Sequence, residues 1–206
     1  MKKIVGVLVL IAIGLYLSLS VEAEKVEEEA VRVSDNPVFE EIYLAGGCFW
    51  GVEGYFQRIP GVYQTEVGYA NGLTDKTDYQ HIKDTGHAEV LYLKYDKNTV
   101  TLPEILAHYY RIIDPFSYHK QGNDVGSQYR TGIYYTDEAT GEVAKAFLEE
   151  KQKAAKEKIQ IELQPLKNFV IAEDYHQDYL KKNPFGYCHI DLDLAYVPLD
   201  REVIGH

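Results

Sequence analysis

The junction Gly46-Gly47-Cys48-Phe49-Trp50-Gly51 limits the possible folds of this chain more than any other stretch. Just before it, Ile42-Tyr43-Leu44-Ala45 has the short apolar run of a buried strand. After it, the residues from Phe49 to Arg58 have helical spacing until Pro60 stops them. Cys48 is therefore placed at a helix start, where unpaired backbone N–H groups and the positive end of the helix dipole favour an anion. A thiol in that position is expected to ionise more easily than a free cysteine, and the thiolate is the reactive form. The competing assignment is an inert buried cysteine that serves as a small hydrophobe.

The second cysteine, Cys188, lies far downstream in Asn183-Pro184-Phe185-Gly186-Tyr187-Cys188-His189, whose proline and glycine indicate a turn or coil. One thiol at a helix start and one on such a segment suit a redox cycle in which the first is oxidised and the second resolves it. A structural disulfide in an exported chain is the alternative, and the sequence leaves the pairing open.

Lys2-Lys3 followed by an apolar run over residues 4–21 has the pattern of an export signal or an N-terminal anchor. Val21-Glu22-Ala23 offers the small residues of a cleavage site, and the run just reaches the length of about 17 residues needed to span a bilayer. Residues 1–23 are thus expected to be a signal peptide or membrane anchor, residues 24–39 an acidic linker, and residues 40–206 the folded domain. Whether or not the segment is cleaved, lysines on its N-terminal side place the domain outside the cytoplasm, in the periplasm or at the cell surface. A net charge of -11 argues against nucleic acid or an anionic membrane surface as partners, which leaves membrane contact only through an uncleaved N-terminus. Eighteen tyrosines imply many half-buried rings with hydroxyls to satisfy.

Strands are expected at residues 62–69, 87–95, 131–135, 159–163 and 169–172. Helices are expected at 102–113, with Thr101 and Glu104 as a capping box, from Thr136 to about Lys158, and at 174–182, with little regular pattern beyond Cys188. Strands mixed with helices point to an α+β fold, a mixed sheet with helices packed on it. Alternation along the second of these strands puts Glu89 on one face with His87, Leu91 and Leu93, where a carboxyl tends to stay protonated and can act as a general acid. The competing assignment is a solvated glutamate at a sheet edge. The glycine-rich loop Gly122-Asn123-Asp124 with Tyr129 and Arg130 offers candidate ligand contacts. Neither it nor Gly86-His87-Ala88-Glu89 has metal-ligand spacing with a cysteine.

These segments, with Ala172-Glu173-Asp174-Tyr175-His176-Gln177 and Tyr179-Leu180, resemble in order the peptide methionine sulfoxide reductase family, A type, over roughly residues 40–195. The resemblance implies a two-layer α/β sandwich of ferredoxin-like type and reduction of the S epimer of methionine sulfoxide, free or in proteins, as a repair of oxidised proteins. It implies Cys48 as nucleophile, Phe49 and Trp50 as walls for the substrate methyl, and Glu89 as the acid. Tyr79 and Tyr129 would hydrogen-bond the sulfoxide oxygen, Asp124 would help order the site, and Cys188 would form the disulfide with Cys48. No bound cofactor is implied; a thioredoxin-like dithiol is the electron donor, and a monomer is expected. Some family members carry a further cysteine that relays the disulfide outward, and residues 191–206 contain none, so the Cys48–Cys188 bond itself would meet the reductant. A thiol peroxidase would also use a reactive cysteine and a resolver, but it has no need of an aromatic methyl slot beside an acid.

Overall fold

A computed structural model describes residues 36–199. The expected signal or anchor and all but the end of the expected acidic linker lie outside the described residues. The elements run β1 (Phe39–Gly46), α1 (Phe49–Phe56), β2 (Val62–Ala70), α2 (Ile82–Thr85), β3 (Ala88–Asp96), α3 (Leu102–Ile112), β4 (Lys120–Gln121), β5 (Asp124–Val125), β6 (Thr131–Tyr135), α4 (Glu138–Ala154), β7 (Glu162–Pro165), β8 (Val170–Ile171) and α5 (Tyr179–Lys182). The main sheet has the order β7-β6-β1-β3-β2-β8, and β4 pairs with β5 in a separate hairpin. Its inner strands β6-β1-β3-β2 are mutually antiparallel, while β7 joins β6 in parallel. This is the expected α+β mixed sheet, with the interleaved βαββαβ connectivity of the ferredoxin-like class.

Strand β3 lies between β1 and β2, buried on both faces, so Glu89 is not at a sheet edge. The alternation read from sequence holds. Leu91, Leu93 and Tyr95 join Val52, Tyr55, Ile105 and Phe147 from the helices in the main core, whereas Ala88 and Val90 face Tyr134 and Phe169 on the opposite side. Each fully buried leucine or isoleucine of that core contributes about 1.5–3 kcal/mol. Thr101 and Glu104 form the expected capping box at α3. From α3 the buried Tyr109 hydroxyl donates to the Ala45 carbonyl at 2.7 Å and accepts from the Gly132 N–H at 3.1 Å, pinning the end of β1 just before the Cys48 turn.

Several expectations shift. Helix α4 is capped by Asp137, whose side chain accepts from the Thr140 N–H, and stops at Ala154 rather than near Lys158. There the Gln152 side chain bonds the Glu157 carbonyl and the Ile159 N–H, turning the chain back toward β7, which starts later than expected. The last strand shortens to Val170–Ile171. The helix expected over 174–182 is reduced to α5, because Asp178 takes a left-handed backbone with φ 51°. That conformation is held by tertiary bonds: Asp178 N–H to Glu53 Oε2 at 2.9 Å, and Gln57 Nε2 to Asp178 Oδ1 at 2.8 Å. The tail is more ordered than its pattern indicates, with a 3-10 helix over Leu192–Tyr196; Arg111 grips the Leu194 carbonyl within it and the Val197 carbonyl just after it.

Candidate active site

Gly47, with φ 84°, turns the chain from β1 into α1 and leaves Cys48 as the N-cap residue, 6% exposed. The N–H groups of Trp50 and Gly51 point at the sulfur and favour the thiolate, as helix-start geometry requires. They are outweighed. Burial, and then the Glu89 carboxyl, push the thiol well above the ordinary cysteine range, so the expectation of easy ionisation is corrected: dehydration of the sulfur costs more than the helix end returns.

Glu89 projects from the centre of β3 to the same turn, 2% exposed, and its Oε2 accepts the Phe49 N–H at 3.1 Å. Burial is the largest influence on it and raises its pKa to about 8, with Asp124 adding to the rise and the Phe49 N–H opposing it. The group is therefore a carboxylic acid at neutral pH, the state the sequence pattern indicated. It opens on a cavity of about 500 Å³ lined also by Tyr79, Asp124, Gln128 and Tyr129. Burial and then Glu89 hold the Tyr79 and Tyr129 hydroxyls above the usual tyrosine range, so both are hydrogen-bond donors. Glu173 fixes Tyr79, accepting its N–H at 3.0 Å while also accepting the Tyr69 hydroxyl at 2.7 Å.

The structure thus brings Cys48, Glu89, Tyr79, Asp124 and Tyr129 together. Phe49 is 1% exposed, with its ring 5.9 Å from Tyr69 and 5.1 Å from His176. The Trp50 indole stacks on Tyr179 at 3.7 Å and donates from Nε1 to His176 Nδ1 at 3.0 Å. His176 and Tyr179 are the residues whose roles sequence reasoning missed. Both sit in a segment read as an ordinary terminal helix, which the left-handed Asp178 interrupts between them. Arg130, a candidate contact from sequence, instead stitches the scaffold: its guanidinium bonds Asn71, Gly86 and Ser127 carbonyls and the Glu162 carboxylate. His87 is fully buried ahead of β3, its Nδ1 3.0 Å from the Thr85 hydroxyl.

Cys188 is half-buried and its thiol donates to the Ile190 carbonyl at 3.1 Å. Its sulfur packs on the first turn of α1, 3.1 Å from where a Cβ on Gly51 would stand, so a side chain there would require the sulfur to give way by a few tenths of an ångström. Both cysteines are free thiols, carried on a single helical turn and the strand of coil lying over it.

Residues 40–204 match the family model described as peptide methionine sulfoxide reductase. Reduced Mxr1 from Saccharomyces cerevisiae is 36% identical over 78% of this chain and 93% of its own, with a TM-score of 0.70. Methionine sulfoxide reductase A of Corynebacterium diphtheriae is 32% identical over 79% of this chain and 92% of its own, with a TM-score of 0.65. The Saccharomyces cerevisiae protein has also been solved in complex with Trx2; in that form it is 26% identical over 73% of this chain and 91% of its own, with a TM-score of 0.50.

Proposed function

The chain belongs to the peptide methionine sulfoxide reductase family, and on that premise we propose that it reduces the S epimer of methionine sulfoxide, free or in proteins, with Cys48 as nucleophile, Glu89 as acid and Cys188 as resolver. The observation that carries this assignment is the buried, neutral Glu89 hydrogen-bonded to the residue next to Cys48. A sulfoxide is uncharged but strongly polarised along its S–O bond, so its site must supply donors for oxygen and an apolar contact for the methyl. Tyr79, Tyr129 and Glu89 supply the donors; Phe49 and Trp50 supply the apolar wall; Asp124 orders the loop between them.

Glu89 gives its proton to the sulfoxide oxygen as Cys48 sulfur attacks the substrate sulfur, and the thiol proton of Cys48 replaces it. The products are the thioether and a Cys48 sulfenic acid, the substrate sulfur gaining the two electrons that Cys48 loses. Delivering the acid's proton as the thiol loses its own removes the need for a standing thiolate, which fits a Cys48 held protonated by burial. Cys188 then displaces the hydroxyl as water, forming the Cys48–Cys188 disulfide, and a thioredoxin-like dithiol opens it by exchange. The Saccharomyces cerevisiae relative captured with Trx2 supports that choice of donor. Lys2-Lys3 and the apolar run after them support operation of the domain outside the cytoplasm.

Two expected outcomes test the scheme. In the Cys188→Ser variant with thioredoxin as sole reductant, one methionine per enzyme forms and turnover stops; continued turnover eliminates Cys188 as the resolver. In wild-type single turnovers the reduction rate falls as pH rises through about 8, because Glu89 is raised and its protonated, donating form is lost above that value. A rate that climbs through pH 8 instead would remove Glu89 from the role of acid.

A further inference from the structure

The residues on either side of Cys188 converge on one carboxylate. The Tyr187 hydroxyl donates to Asp124 Oδ2 at 3.1 Å, and His189 Nδ1 lies 3.8 Å from the same oxygen. The His189 side chain is 8% exposed; its polar neighbours are Asp124 and the Gly46 carbonyl, and neither ring nitrogen completes a well-formed hydrogen bond. A buried polar atom without a well-formed partner calls for an explanation, and a partner that arrives during function is one. The imidazole also reaches the other thiol's side of the site: its Cε1 is 3.2 Å from where a Cβ on Gly47, the residue before Cys48, would stand. One ring thus lies between the backbone of Cys188 and the turn that carries Cys48.

We propose that His189 carries the proton of the disulfide-forming step, a role that rests on the reductase function proposed above. In that step Cys188 Sγ attacks the sulfenic sulfur of Cys48; the S–H and S–O bonds break, an S–S bond forms and water leaves. Cys48 sulfur is reduced as Cys188 sulfur is oxidised, so no outside oxidant enters. His189 takes the thiol proton from Cys188 and hands a proton to the departing hydroxyl, ending in the neutral state in which it began. Asp124, facing Nδ1, stabilises the imidazolium between the two transfers.

The groups around the ring fit that task. Burial lowers the His189 pKa, against the opposing pull of Asp124 and the Gly46 carbonyl, so the imidazole is neutral and able to accept a proton at neutral pH. Burial raises the pKa of the Cys188 thiol, which makes a base necessary for its attack. Glu89 is committed to the preceding step, its carboxyl accepting the Phe49 N–H.

The test is a single turnover of His189→Gln with one equivalent of methionine S-sulfoxide and no external reductant, following methionine and residual thiol together. Methionine is expected to appear at the wild-type rate, while thiol loss slows at least about tenfold and a dimedone-trappable sulfenic acid accumulates on Cys48. In His189→Ala, added imidazole is expected to speed disulfide formation; absence of any acceleration assigns the ring to packing alone and overturns the proposal. Thiol loss at the wild-type rate, or a methionine burst slowed as much as thiol loss, overturns it as well. Failure of the wild-type enzyme to form methionine would instead defeat the underlying reductase assignment.

Discussion

Cys48→Ser is expected to bring methionine formation down to the uncatalysed background while leaving the fold intact. Serine is a preferred helix N-cap residue, so at the start of α1 it keeps or improves the local structure and the thermal midpoint should not fall. What disappears is the proposed nucleophile. A hydroxyl at this position ionises far less readily than a thiol, and it cannot hold the transferred oxygen as a sulfenic acid. Because the variant stays folded, loss of activity separates sulfur chemistry from simple recognition: a module that only bound oxidised peptides would survive the exchange. The check is steady-state methionine production with dithiothreitol, paired with a thermal melt.

Glu89→Gln is expected to lower the reduction rate by about 10²–10⁴-fold, the range associated with loss of a positioned general acid. The amide matches the carboxyl in shape, can accept the Phe49 N–H through its oxygen, and can still offer a hydrogen bond to the sulfoxide. It cannot transfer a proton. The loss should therefore fall on kcat with little change in KM, and the decline of rate above pH about 8 should vanish with the group that causes it. Stability should hold, since a neutral amide replaces a carboxyl already kept neutral by burial. An equal rise in KM with kcat unchanged would mean that Glu89 only binds substrate.

The parts of this site legible in the sequence are those written in local patterns. The strand, the two glycines and the apolar run up to Pro60 place Cys48 at a helix start, and period-two alternation puts Glu89 among leucines. The capping box at Thr101 and Glu104 is equally local. What escaped depends on residues far apart in the chain. The left-handed Asp178 is held by Glu53, 125 positions away, and by Gln57, and the segment expected as one helix instead turns and sets His176 against the Trp50 indole. The ionisation of Cys48 was misjudged for the same reason: helix position is readable from the sequence, whereas the depth of burial and the approach of Glu89 follow from tertiary packing. The ordered tail likewise needs Arg111, held on α3, to collect carbonyls beyond Cys188.

Intact-mass and peptide analysis of Cys188→Ser after exposure to one equivalent of methionine S-sulfoxide tests the chemistry at Cys48 most directly. The expected result is one methionine released per enzyme and a single added oxygen, trappable by dimedone, on the peptide containing residue 48. Methionine released with Cys48 left unmodified would contradict direct attack by that sulfur.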